Sequence, residues 1–435
     1  MDLFQYKNGV LYCEDIPVNS LPEKGVPTPF YLYSANTLRQ HYKKIYGIFE
    51  RLQPMICFSV KSSNNIHLLN ELAALGAGMD IVSGGELFVV KQSNADLSKV
   101  VFAGVGKSDE EITDAILSEV GFINIESEQE LARVQELAGE LKREVNVLIR
   151  IVPDILDEKT NEKTRTGHKG AKFGIDYAHV ETLIEENADH PYVKIRGLHS
   201  HIGSPISSYT FYVAAIHKMV ELVENLKRKN IRLDVLNIGG GFPANYMDND
   251  NFSWESFAGP ITELLEPYVK NEGFKIILEP GRSISANAGI MVCKVLYVKQ
   301  SGDKNIVVLD GGMTELIRPA MYNAFHFIWP VKPQPEHILT NRNYPVQQEG
   351  LTTYDVVGPI CESSDYLAKE RPLPPLKQGD YVAVFTVGAY GMVMASNYNL
   401  HVRPAEIMID KDKIYIIRER EKQEDLIRTM IRHEL

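Results

Sequence analysis

The sequence predicts an α/β barrel of the (β/α)8 type followed by an all-β domain, and three observations carry that prediction. Short apolar, β-branched runs alternate with longer helical patterns from about residue 36 to residue 285. The runs number eight, the count that closes a TIM barrel of about 250 residues. Beyond residue 285 the alternation stops, and strand-like runs separated by Gly, Pro and Asp turns take over. A doubly wound open sheet is the weaker arrangement, because the alternation ends at eight.

The eight runs are Ile56 to Val60, Met79 to Val82, Val100 to Ala103, Phe122 to Ile125, Val145 to Ile151, Lys194 to Leu198, Leu233 to Ile238 and Lys275 to Leu278. Between them the patterns Asn65 to Leu75, Asp109 to Leu117, Ser127 to Leu141 and Ser208 to Lys229 predict helices. Ser127-Glu128-Gln129-Glu130 has capping-box spacing, so the Ser127 hydroxyl is expected to accept from the third helical N–H. The later runs Ile290 to Lys299, Asn305 to Asp310, Tyr381 to Val387 and Lys413 to Ile417 predict strands of a β-sandwich or β-barrel. Phe4 to Cys13, with a Lys7-Asn8-Gly9 turn, predicts a hairpin that joins them. The expected domains are therefore 1–35, N-terminal strands packing with the β domain; 36–285, the barrel; and 286–435, the C-terminal β domain.

At 435 residues, 44% hydrophobic and 24% charged, the chain has the apolar material for two full cores. A formal net charge of −11 argues against general affinity for nucleic acid or anionic membrane, both of which need clustered cations, and favours a small-molecule partner. Cys13, Cys57, Cys293 and Cys361 form no CxxC pair, so neither a zinc site nor a disulfide framework is expected, and a reducing cytoplasm fits them. No stretch approaches the roughly 18 apolar residues of a membrane span, and Met1-Asp2-Leu3-Phe4 lacks the basic start and apolar run of a leader.

Barrel chemistry sits at the C-terminal strand ends. The first run ends at Lys61, the sixth leads into His199-Ser200-His201-Ile202-Gly203-Ser204, the seventh into Gly239-Gly240-Gly241 and the eighth into Glu279-Pro280-Gly281-Arg282. Lys61 follows the apolar Phe58-Ser59-Val60, surroundings that disfavour an ammonium and favour a nucleophilic amine; a solvated surface charge is the plain alternative. The triple glycine exposes backbone N–H groups that a phosphate can approach, although such turns also occur without ligands. Glu279 is either a salt-bridge partner of Arg282 or a carboxylate for a cofactor nitrogen. His201 is either a core histidine or a ring that stacks on a flat cofactor. The charged, Thr-rich stretch Asp154 to Lys172 is either a lid over the barrel mouth or an idle loop.

These segments, with Val60-Lys61-Ser62-Ser63-Asn64 and Asp80-Ile81-Val82-Ser83-Gly84-Gly85-Glu86-Leu87, together resemble the fold type III pyridoxal-phosphate (PLP) decarboxylases, from about residue 25 to residue 405. Asp310-Gly311-Gly312-Met313, Ile317-Arg318-Pro319-Ala320-Met321-Tyr322, Gly358-Pro359-Ile360-Cys361-Glu362-Ser363-Ser364-Asp365 and Gly388-Ala389-Tyr390-Gly391 are similar to motifs of the diaminopimelate decarboxylases. The resemblance implies that Lys61 holds pyridoxal 5'-phosphate as a Schiff base, His201 stacks on its ring and Glu279 pairs with its nitrogen. It implies that Ser204, Gly241, Gly281, Arg282 and Tyr390 gather the phosphate, that Arg282, Arg318 and Tyr322 bind substrate at its distal carboxylate, that Tyr390 also touches substrate, and that Glu362 meets the distal ammonium. Cys361 would protonate the reacting carbon, its plain alternative being a small buried hydrophobe.

The implied reaction is decarboxylation of meso-2,6-diaminopimelate to L-lysine, the last step of lysine biosynthesis. The siblings acting on ornithine, arginine or carboxynorspermidine, a non-catalytic PLP-binding regulator and a PLP-free barrel isomerase are the rivals. Because Cys361 and Glu362 fall in the expected β domain and Lys61 in the barrel, the resemblance also implies a head-to-tail homodimer with shared sites. Ser62-Ser63, Ser200, Pro205 and Gly241-Phe242-Pro243 depart from the family's usual choices without removing a functional group.

Overall fold

The computed structural model describes residues 2–250 and 252–431. Residue 1 and residues 432–435, the outer ends of the expected terminal segments, lie outside the described residues. The chain divides into two compact units: one within residues 1–38, 245–251 and 285–435, the other formed by Arg39–Ala244 and Phe252–Ile284.

The second of these is the expected closed barrel. Its strands are β1 (Met55–Ser59), β2 (Gly78–Ile81), β3 (Val100–Phe102), β4 (Phe122–Ile125), β5 (Val145–Val152), β6 (Val193–His199), β7 (Val235–Asn237) and β8 (Lys275–Leu278). Each pairs in parallel with the next, and β8 pairs with β1 through Ile277↔Met55, which closes the ring and excludes the open doubly wound sheet. Alternate residues on a strand share a face, and those turned into the ring form one apolar plug of Cys57, Val101, Phe122, Leu148, Val235 and Ile277.

Side-chain caps start the helices between these strands. Ser108 and Glu111 complete a reciprocal capping box ahead of Asp109–Leu117. At Glu128–Leu141 the Ser127 hydroxyl accepts from the Glu130 N–H at 3.1 Å, as expected. The Glu130 carboxylate, however, accepts from the N–H of Glu126 at 2.6 Å, one residue before the cap.

The other unit is built on a mixed sheet in the order Tyr366–Leu373, Thr352–Val357, Lys304–Leu309, Gly289–Ser301, Phe30–Ser34, Ala405–Asp410 and Lys413–Arg418. Its interior strand Phe30–Ser34 pairs antiparallel with Gly289–Ser301 and parallel with Ala405–Asp410. All five of its residues are buried, so it carries no polar alternation that would mark it as a strand. The predicted hairpin forms as Phe4–Lys7 and Val10–Cys13, with Asn8 and Gly9 both at positive φ, but it builds a separate three-stranded sheet with Ile16–Pro17. That small sheet is tied to its unit by the Leu11 N–H donating to Val331 O at 2.8 Å and the Tyr6 hydroxyl to Pro330 O at 2.6 Å. Among the described residues no helix is long and apolar enough to cross a membrane.

Candidate active site

Above the apolar plug, the next inward-facing residue of each barrel strand is polar in seven of eight cases: Ser59, Asp80, Asn124, Arg150, His199, Asn237 and Glu279, all buried. Charges so buried must pair with one another. Lys61, in the turn just after β1, sets its Nζ 2.5 Å from Asp80 Oδ2, and the Ser59 hydroxyl donates to the same oxygen at 2.6 Å. The surroundings of the amine are therefore not purely apolar, because β2 brings a carboxylate that the run Phe58-Ser59-Val60 does not reveal. Burial raises the Asp80 carboxyl, with Lys61 opposing the rise.

Glu279 has different neighbours from those of the simpler expectation. It pairs not with Arg282 but with His199, Nε2 to Oε2 at 3.1 Å, and with Asn237, whose amide donates to Oε1 at 2.6 Å. Burial alone would raise its carboxyl; the charges of His199 and Lys61 and the two hydrogen bonds outweigh it and hold the group well below the ordinary range. The carboxylate stays ionised in a dry place, which is what holding a proton on a pyridine nitrogen needs. His201 accepts at Nδ1 from the Gly240 N–H at 3.2 Å, and burial, together with Arg150 and Lys61, holds its ring well below its ordinary value. A neutral, oriented imidazole results.

The glycine turn is shaped for close approach. Gly241 has φ +93°, and a Cβ there would collide with Gly203 O. The Tyr212 hydroxyl fixes the turn by donating to Gly240 O at 2.8 Å. Arg282 donates from Nε to Ser204 Oγ at 3.3 Å, so two of the expected phosphate residues meet, and Gly281 packs where a Cβ would press on Ser59 and Ser62. The segment 154–172 is bound to the loop that carries His201 and Ser204. Asp157 accepts from the Ser207 N–H at 2.6 Å, and the Thr160 and Thr166 hydroxyls donate to Pro205 O and His201 O at 2.6 and 2.7 Å.

In the other unit Arg318 opens the short helix Arg318–Tyr322 and stacks against the Tyr322 ring, 5.9 Å from its centroid. Cys361 is exposed, so its reading as a buried hydrophobe falls; its N–H donates to Asn399 Oδ1 at 3.2 Å, and Glu362 accepts from the Tyr398 hydroxyl at 2.7 Å. Asp365 shapes that turn by accepting from the N–H groups of Ile360 and Met313, both at 2.6 Å. Tyr390 holds a left-handed backbone, φ 57°, in the turn Gly388-Ala389-Tyr390-Gly391.

Sequence reasoning gave no role to Asp80, His199, Asn237 or the Glu126–Arg150 pair at 2.6 Å. Most of these side chains lie within the strands or at their last residue, whereas barrel chemistry is ordinarily expected in the loops beyond the strand ends. Counting back by twos from each strand end would have found the polar layer.

A family profile described as the pyridoxal binding domain of pyridoxal-dependent decarboxylases matches residues 35–286. Diaminopimelate decarboxylase of Haemophilus influenzae is 40% identical over 98% of this chain and 98% of its own, and that of Aquifex aeolicus is 37% identical over 97% and 96%. The crystal structure of diaminopimelate decarboxylase from M. jannaschii in co-complex with L-lysine superposes with a TM-score of 0.91, at 33% identity, over 99% of this chain and 98% of that one. Fold and site thus define a PLP-dependent amino-acid decarboxylase. The chain belongs to the diaminopimelate decarboxylase family.

Proposed function

We propose that this chain decarboxylates meso-2,6-diaminopimelate to L-lysine and carbon dioxide, the last step of lysine biosynthesis. The observation that carries the substrate is Arg318, which is buried and, among the described residues, has no carboxylate within ion-pair distance. A buried guanidinium lacking a counter-charge is costly unless an anion arrives with the ligand. Ornithine and arginine bring no second carboxylate; diaminopimelate does. The presence of Arg318, Cys361 and Glu362 together also speaks against a regulator that binds PLP without turnover.

In this reading Lys61 carries the cofactor, which supplies the electron sink for the pair left by departing carbon dioxide. Glu279 would hold the proton on the ring nitrogen, His201 would pack against the ring, and Ser204, Gly241, Gly281, Arg282 and Tyr390 would gather the phosphate. Arg282, Arg318 and Tyr322 take the distal carboxylate, in planar, bidentate fashion where arginine is the donor, and Tyr390 also touches substrate. Glu362 takes the distal ammonium, and the Cys361 thiol delivers a proton to the carbon that has lost carbon dioxide. Cys361 and Glu362 serve the site of a second copy in a head-to-tail homodimer, and the four free cysteines fit a reducing cytoplasm.

Purified protein is expected to show a visible chromophore bleached by borohydride and absent from Lys61→Ala, and to release carbon dioxide from meso-diaminopimelate. Release from ornithine or arginine in its place overturns the substrate. A chromophore without any turnover supports the regulator, and no chromophore the isomerase.

A further inference from the structure

The Arg318 guanidinium is held by two side chains that none of the assigned roles includes. Its Nε donates to His326 Nε2 at 3.3 Å, and its Nη2 donates to the Tyr246 hydroxyl at 3.1 Å. The guanidinium carbon also lies 5.8 Å from the Tyr246 ring centroid, and the Tyr246 and His326 rings meet edge to face at 5.5 Å. Arg318, His326 and Tyr246 belong to the same compact unit, Tyr246 through the segment 245–251.

His326 is fully buried, and its tautomer is dictated from both ends. Nδ1 lies 3.0 Å from Phe385 O, an atom that only accepts, so Nδ1 carries the hydrogen. Nε2 receives the Arg318 Nε–H and so presents its lone pair. The imidazole is neutral, and the backbone carbonyl of Phe385 sets which edge faces the arginine. Tyr246 is anchored in turn: its own N–H and that of Met247 donate to Asp250 Oδ2 at 2.6 and 3.0 Å, and Asn287 donates to Asn245 O at 2.7 Å.

Two of the five guanidinium N–H donors are thereby used, and both acceptors are uncharged. Among the described residues no carboxylate lies within ion-pair distance to balance the positive charge, and the donors without a partner are the two on Nη1 and one on Nη2. That edge matches a carboxylate approaching end-on.

We infer that His326 and Tyr246 are positioning residues that fix Arg318 with its Nη1/Nη2 edge free, and so set specificity for a substrate with a distal carboxylate. This rests on the proposed role of Arg318. Uncharged acceptors are essential to it: a carboxylate in either place would neutralise the guanidinium and compete with the ligand.

The test uses the PLP-loaded full chain, with steady-state kinetics on meso-diaminopimelate and calorimetric titration of L-lysine, which keeps the distal carboxylate, and of cadaverine, which lacks it. Tyr246→Phe keeps the ring and removes one acceptor; KM is expected to rise about tenfold with kcat little moved, the loss typical of one hydrogen bond to a charged group. L-Lysine binding should weaken in parallel and cadaverine binding should hold. His326→Phe should do the same more strongly, and His326→Gln, which restores an acceptor, should recover part of the loss; should His326→Phe fail to fold, Tyr246→Phe and His326→Gln still decide. Variants that keep the wild-type ratio of L-lysine to cadaverine affinity overturn the inference. A wild-type chain without that preference overturns instead the role of Arg318 on which it rests.

Discussion

Glu315 shows how one buried carboxyl can set a pH dependence of stability. Burial pushes it up from 4.5 to about 7, against hydrogen bonds donated by the Gly312 N–H at 2.8 Å and the Thr314 hydroxyl at 2.9 Å. The folded state thus holds this proton more tightly than the unfolded chain does. The linked stability is fully present below about pH 4.5 and is lost as pH rises through about 7. Glu315→Gln keeps an acceptor for the Gly312 N–H and never ionises. Relative to the parent, its stability should rise between those pH values, by up to about 3 kcal/mol at 1.36 kcal/mol per pKa unit, and should level off above them. Urea unfolding of both proteins at pH 4.5, 6 and 8 checks this; a gap independent of pH refutes it. The residues proposed for chemistry at strand ends, Lys61, His201, Gly241 and Glu279, drew notice because a barrel directs attention there. Asp80 was not, since a polar residue inside an apolar run has meaning only once its strand neighbours are known, and His199, although it follows the sixth run, gains its meaning only from its contact with Glu279.

At the scale of elements, legibility followed periodicity. The barrel strands were found within a few residues because each apolar run is bounded by polar helix starts, and Ser127 caps where predicted. Phe30–Ser34 escaped because burial on both faces removes the alternation that marks a strand, and the N-terminal hairpin beside it was credited with its place in the sheet. The glycine turn offers a prediction that separates backbone strain from steric contact. Gly241 and Gly273 both hold positive φ, +93° and +75°, but a Cβ at Gly273 meets nothing within 4 Å, whereas one at Gly241 would strike Gly203 O. Gly273→Ala should cost about 1 kcal/mol of stability through strain alone and leave PLP affinity unchanged. Gly241→Ala should add displacement of the Gly203–Ser204 turn and weaken PLP binding, read by fluorescence titration of the apoenzyme. Equal PLP affinities in the two variants would remove the turn from the phosphate site.

For the molecule as a whole, the proposed assignment divides the chemistry between Lys61 in one compact unit and Cys361 with Glu362 in the other. The exposure of Cys361 fits a group that serves a second copy of the chain, since a thiol acting only within its own fold has no need to face outward. A head-to-tail dimer makes this quantitative. Lys61→Ala and Cys361→Ala homodimers each carry a defect in both sites. In a mixed dimer one site collects both defects and the other collects neither, so it is wild-type in every residue. Random exchange of equal amounts makes half the dimers mixed, and half the sites in those are intact, so activity should return to about a quarter of wild type. Mixing after brief partial dissociation, followed by carbon dioxide release from meso-diaminopimelate, reads this directly. No recovery, with exchange verified by mass-tagged subunits, would mean that each copy uses its own cysteine. Recovery that falls on dilution at the same rate as the dimer dissociates would tie turnover to the shared site.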